Sequence, residues 1–197
     1  MKDLIWFSIP GAIFIFPIIF IFNGDLQSED SFIGILLVSV PVCGFIIHQA
    51  WRLIFEASGG FSSNKRKVIK EIKNKDWKIK TQLSRYDAFH VWELTFYGCD
   101  IDPSFRDHDR GAWHYIMSFL SCLLASIFGI LLFTYDYLSD PCLKSFQWIW
   151  IIIYILIAVI FFFKARLTRD SLERQEIAIL ELHEDKFKTT AENLFNK

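Results

Sequence analysis

Apolar positions fall into four blocks free of Asp, Glu, Lys and Arg: Leu4–Gly24, Ser31–Trp51, Gly111–Tyr135 and Ser145–Phe163, of 21, 21, 25 and 19 residues. About 20 predominantly apolar residues cross a ~30 Å hydrocarbon core as a helix, since in lipid every backbone amide must find its partner within the segment. The pattern predicts an all-α integral membrane protein with four transmembrane helices. Outside the blocks the hydrophobicity becomes periodic. Val68, Ile69, Ile72 and Ile79 recur at helical spacing among lysines. Ile177, Leu180, Phe187, Ala191 and Leu194 recur at nearly heptad spacing, interrupted at Glu184. The expected organisation is transmembrane helices 1 and 2 over 1–55, a loop subdomain over 56–110, transmembrane helices 3 and 4 over 111–165, and an amphipathic tail helix over 166–197.

Composition agrees with this pattern: 53% of the residues are hydrophobic, 21 are Phe, and the net charge is −1. The distribution of charge adds orientation. Twelve of the 21 Lys and Arg lie between Arg52 and Arg110, seven between Lys164 and Lys197, and Lys2 precedes the first block. Asn23–Asp30 holds no base and Asp136–Lys144 holds one. By the positive-inside bias, both termini, the loop and the tail are expected in the cytoplasm of an inner-membrane, multi-pass protein. The first block is longer than a secretory h-region, and Ile21-Phe22-Asn23-Gly24-Asp25 offers no small-x-small cleavage site. It is expected as a retained helix, with Pro10 and Pro17 tolerated inside it.

The loop divides into a basic and an acidic half. Lys65 to Arg85 has a net charge of +7, and Tyr86 to Arg110 has −4. Ser62-Ser63-Asn64 supplies a helix N-cap, and Lys65, Arg66, Lys67, Lys70 and Lys73 form the basic flank of an amphipathic helix suited to an anionic lipid surface or to pairing with the acidic half. Nucleic acid is disfavoured as a partner. Trp77, Ile79, Thr81 and Leu83 alternate as a strand does, so helix and hairpin remain alternatives over 77–97. As a helix, Tyr86, Phe89, Trp92, Phe96 and Tyr97 make one aromatic face. Asp102-Pro103 reads as the N-cap and first position of a helix that runs on into the third block.

Within the blocks, small and polar residues mark helix contacts. Ser118, Cys122 and Ser126 form one row on the third block and Ser121, Ala125 and Gly129 a second, opposite bulky Ile116, Leu120, Leu123 and Leu131. This face suits packing within the chain, a subunit interface of a homo-oligomer, or a pore lining. The fourth block is bulky all round and reads as lipid-facing, with Trp148 and Trp150 as interfacial anchors. His48 and Gln49, about one turn inside Arg52, and His114, at a similar distance from Arg110, are expected to form an intramembrane polar cluster.

Chemistry-bearing motifs are sparse. Arg85 and His90 have the spacing found in HEPN-type ribonucleases, which a chain with eight Arg and five His produces readily by chance. Cys99, Asp100, Asp102, His108 and Asp109 gather oxygen, nitrogen and sulfur donors without a His-x3-His or Cys-x2-Cys anchor, so no metal site is assigned. Cys142, outside, has no partner in its own turn. Nucleotide, nucleophile-elbow and zinc-protease motifs are absent. No catalytic residues and no cofactors are expected. The tail residues Ile177, Leu180, Phe187 and Leu194 are expected to pack on the loop, on a second copy or on a cytosolic protein partner. In topology alone the chain resembles small prokaryotic defence and immunity membrane proteins, such as the pore-colicin immunity proteins and the membrane subunit of the Kiwa antiphage system. That resemblance implies a membrane anchor or effector subunit for a cytosolic partner. The alternative is an oligomeric ion channel or pore gated through its cytoplasmic face.

Overall fold

Backbone amides in apolar blocks of this length can be satisfied in lipid only by helix or closed barrel, and nearly all of the described residues are helical. The computed structural model describes residues 2–22, 29–57, 65–75, 77, 82–98, 101–139 and 144–196. Among them are seven helices and no strand: α1 Lys2–Phe22, α2 Glu29–Ala57, α3 Arg66–Asn74, α4 Arg85–Gly98, α5 Pro103–Ser139, α6 Lys144–Leu182 and α7 Glu184–Phe195. Two helices, α5 and α6, are long and apolar enough to cross a membrane, each with a mean hydropathy of 2.5 over its most apolar window. At about 1.5 Å per residue they are ~55 Å long or more, nearly twice a hydrocarbon core. The apolar stretches described in α1 and α2, Phe7–Ile21 and Val38–Ile54, are shorter.

Helix α5 starts where Asp102-Pro103 predicts. The Asp102 carboxylate accepts a hydrogen bond from the Ser104 amide at 2.9 Å, which fills one of the orphan donors of the first turn and holds that carboxyl below its ordinary range. From there α5 is unbroken to Ser139. Helix, not hairpin, is found over 85–98. A reciprocal box closes its start: the Ser84 amide donates to Asp87 at 2.9 Å, and the Asp87 amide to the Ser84 hydroxyl at 3.1 Å. The predicted cap at Ser62–Asn64 and residues 78–81 of the alternating segment lie outside the described residues, as do Cys99 and Cys142.

Contacts divide the chain into two units. The first is Met1–Ile54 with Tyr115–Arg166; the second is Phe55–His114 with Leu167–Lys197. Loop and tail, far apart in sequence, thus share one unit.

The first unit is held by small residues and aromatic rings. Ser118, Ser121, Cys122, Ala125, Ser126 and Gly129 are all buried. Ser121 and Ser126 also donate back to the carbonyls of Met117 and Cys122, at 2.8 Å each, so these hydroxyls are satisfied within their own helix. Gly129 leaves room for Tyr154, whose ring lies 2.2 Å from where a Cβ would stand. The Tyr154 hydroxyl reaches the Ile13 carbonyl at 2.7 Å. Trp150 stacks on Phe133 with centroids 6.1 Å apart and meets Phe16 and Phe20. Trp148 is half exposed. Ile116, placed opposite the small face by spacing, is buried too, whereas Leu131 is exposed.

Helices α1 and α2 meet backbone to backbone. A Cβ on Gly44 would lie 1.6 Å from the Phe7 carbonyl oxygen, and one on Gly11 1.8 Å from that of Val40. No side chain can occupy either place without parting the helices. Gly111, by contrast, has nothing within 4 Å of its absent Cβ. Gly44→Ala should therefore destabilise by about 1–3 kcal/mol, and Gly111→Ala should stabilise by roughly 0.5–1 kcal/mol through helix propensity. Thermal midpoints in mild detergent check both; an unchanged Gly44→Ala would contradict the close crossing.

Candidate functional site

The second unit closes around the apolar faces of short helices. Val68, Ile69 and Ile72 of α3 are buried, as are Val91, Trp92 and Phe96 of α4 and Leu180 and Phe187 of the tail. Trp92 stacks between Phe96 and Phe187, at centroid distances of 4.9 and 5.3 Å. The buried side of α4 is thus Ala88, Val91, Trp92, Thr95 and Phe96, rotated from the aromatic face expected from spacing. Tyr86 is 77% exposed.

A lysine is folded into this core. Lys65 is 3% exposed, and its ammonium lies 5.2 Å from the Trp92 ring centroid and 5.7 Å from that of Phe96. Its Nζ donates to Asp109 Oδ1 at 3.2 Å and to Glu176 Oε1. Tyr97 donates its hydroxyl to the other Asp109 oxygen at 3.1 Å. One cation thus faces two carboxylates, drawn from sequence positions 44 and 111 residues away. With both carboxyls ionised the cluster would carry one net negative charge in a dry setting. Burial pushes Glu176 up to about 7; Lys65 opposes that rise, while Asp109 adds to it. Burial, and then the Asp109 charge, raises the Tyr97 phenol well above its ordinary range. Glu176 Oε2 is buried without a hydrogen-bond partner.

Further ion pairs tie the loop to the tail. Lys67 meets Glu173 at 2.6 Å, and Arg169 meets the other oxygen of Glu173 at 3.2 Å. Lys75 and Trp77 both donate to Glu184, at 2.7 and 3.3 Å. These bonds hold the Glu184 carboxyl below its ordinary range. Glu184, the flaw in the heptad spacing, is where the tail divides: α6 ends at Leu182 and α7 begins at Glu184.

Beside the cluster lies a cleft of about 370 Å³, lined from α5 by Ser104, Phe105, His108 and Asp109 and from α6 by Leu172, Gln175, Glu176, Ala178, Ile179 and Leu182. His108 Nε2 is 3.0 Å from the Gln175 side-chain oxygen. A cavity of this size, with apolar walls and a few polar groups, has the form of a small-molecule site.

The residues singled out from sequence are placed as follows. Arg66, Lys70 and Lys73 are exposed on α3, and Lys67 is exposed but paired. Lys65 departs from them: it is buried and bonded inside the unit, so it is no part of a solvent-facing basic surface. Its pairing with Asp109 joins the basic half of the loop to the acidic half. Leu180 and Phe187 pack on the loop helices, Ile177 is half-buried, and Leu194 is 38% exposed. His48 and Gln49 are half-buried in the first unit, with His48 Nδ1 3.2 Å from the Ser121 hydroxyl. His114 is exposed in the second unit. Arg85 and His90 are both exposed on α4, and five residues on an α-helix turn about 140° between them. Of the donors near His108, Cys99 and Asp100 lie outside the described residues, Asp102 caps α5, and Asp109 serves Lys65 and Tyr97. Among the described residues no three His, Cys, Asp or Glu gather as a metal site.

Glu173 and Glu176 were not anticipated as site residues. Their signal was present in the helix register: Glu176 stands four residues after Leu172 and three before Ile179, on the apolar stripe itself. No protein-family model, curated protein or solved structure matches the chain.

Lys65→Met would leave Asp109 and Glu176 buried without their cation, with an expected loss of about 3–5 kcal/mol. Glu176→Gln should be tolerated, since Lys65 keeps Asp109. Because Glu176 sits above its ordinary 4.5 at about 7, the folded chain holds a proton there that the unfolded chain releases. Its contribution is full below the lower value and is lost as pH rises through the upper one. The thermal midpoint of the wild type should therefore fall across that window relative to Glu176→Gln and run parallel above it. Midpoints measured against pH for the two proteins check this, and parallel profiles throughout would contradict it.

Proposed function

We propose that the chain is a four-span inner-membrane protein whose cytoplasmic unit, built from the loop and the tail, receives a soluble protein partner, making it a membrane anchor or effector subunit. One observation carries this reading. The segments that hold nearly all the Lys and Arg, 52–110 and 164–197, coincide closely with those that fold together as the second unit, Phe55–His114 and Leu167–Lys197. Charge bias assigns both to the cytoplasm, and a core with buried ion pairs is more structure than a connection between spans requires. Exposed Leu94, Tyr97 and Leu194 leave apolar contact area on that unit, and exposed Arg66, Lys70 and Lys73 on α3 suit an anionic lipid surface.

Assembly into a homo-oligomer and a role in prokaryotic defence accord with the topology. Conduction, the rival reading, gains little from α5: its small-residue face is buried, with Tyr154 filling the space at Gly129.

Two measurements test the proposal. A membrane-impermeant maleimide on intact cells should label Cys142 and spare Cys99, with Cys99 reacting only after permeabilisation; the reverse pattern would overturn the topology. The tagged chain purified in mild detergent should carry a soluble protein at fixed stoichiometry. A lone chain that holds no cytosolic protein under those conditions would count against the partner.

A further inference from the structure

Helix α3 sorts its charged residues by direction. At about 100° per residue, Arg66, Lys70 and Lys73 fall within an arc of roughly 60°, and all three are exposed. Glu71, the only acid in the helix, stands about 130° round from the centre of that arc. Lys67, on the flank, is held by Glu173 at 2.6 Å. Among the described residues Arg66, Lys70 and Lys73 meet no acid. The stripe is therefore a row of unneutralised cations about 10 Å long. The apolar side of the helix is taken up elsewhere. Val68, Ile69 and Ile72 are buried in a core shared with Val91, Trp92 and Leu180. An amphipathic helix that lies in a bilayer buries its apolar face there, and α3 has no such face left to offer. Its outer surface presents charge alone.

We propose that Arg66, Lys70 and Lys73 dock the second unit on anionic phospholipid headgroups through charge alone, without insertion of α3 into the bilayer. The proposal deepens the cytoplasmic-unit reading and rests on it. Two observations favour a bilayer over other polyanions. Lys65 follows Ala57, the last residue of α2, by eight residues. At most about 29 Å of chain therefore separates the start of the stripe from the end of a proposed span. Second, α3 holds no aromatic residue on which a base could stack. Each cation near an anionic leaflet strengthens attachment about fivefold. Contact of this kind is screened by salt, whereas a helix anchored by its apolar face keeps its hold.

The test places the full chain in nanodiscs of phosphatidylcholine alone or with about one third phosphatidylglycerol. A water-soluble amine-acylating reagent then reports lysine access, read peptide by peptide in a mass spectrometer. In the anionic discs at low salt, Lys70 and Lys73 should react at least about fivefold more slowly than in the zwitterionic discs. Lys188, on α7 of the same unit, should react equally in both. About 0.5 M NaCl should remove the slowing. Arg66→Gln should lose most of it, and Arg66→Lys should keep it. The wild-type rates decide the proposal if Arg66→Gln does not fold. Discs present both leaflets, so docking is read whichever side the unit occupies, and the maleimide labelling tests sidedness separately. The proposal is overturned by equal rates in the two discs, by slowing that Lys188 shares, by slowing that persists in high salt, or by an Arg66→Gln chain slowed as fully as wild type. Slowing by an added DNA duplex and not by the anionic leaflet would assign the stripe to nucleic acid instead.

Discussion

A buried ammonium is the constraint on which the second unit depends. Lys65 cannot enter the apolar interior formed by Trp92 and Phe96 without losing its hydration, and that loss is tolerable only if carboxylates meet it there. They come from the start of α5 and from the far part of α6, so one cation ties together three stretches that lie far apart in the chain. Tyr97 satisfies the outer oxygen of Asp109, and the aromatic faces beneath Lys65 add a favourable quadrupole. The balance is incomplete, with two acids for one base. Burial first, and then the second carboxylate, raise the Glu176 carboxyl.

The two units are stabilised by different means. In the first, contact follows shape: glycine against backbone where α1 crosses α2, a tyrosine ring in the space left by Gly129. In the second, hydrophobic burial and ion pairing act together, and each loop element finds a tail residue. Glu184 receives Lys75 and Trp77, and Glu173 receives Lys67. The tail is thus a structural part of the loop's fold, with Leu180 and Phe187 inside a shared core.

Much of this was legible in the sequence because it is local. Charge-free blocks dictate helices, Asp102-Pro103 marks the start of α5, and serines at intervals of four mark a buried face. The remainder depends on distance along the chain. Lys65 reads as one more base in a run of nine, yet it precedes Val68, Ile69 and Ile72 by three, four and seven residues, which places it on their stripe. Glu176 shares a face with Leu172 and Ile179 in the same way. A charge in register with an apolar stripe signals a buried partner, and only the fold says which. Trp150 shows the same dependence on distance: spacing marks it as an aromatic near a block's end, and only the fold brings it to Phe16, Phe20 and Phe133.

The central claim is that loop and tail are one cooperative fold organised by Lys65. Hydrogen exchange on the full chain in detergent tests it most directly. Amides of α3, α4 and α7 should share a common opening free energy, and Lys65→Met should lower all three together while α1 and the apolar part of α5 keep their protection. If α7 exchanges independently of α3 and α4, or if Lys65→Met leaves their protection unchanged, the account is wrong.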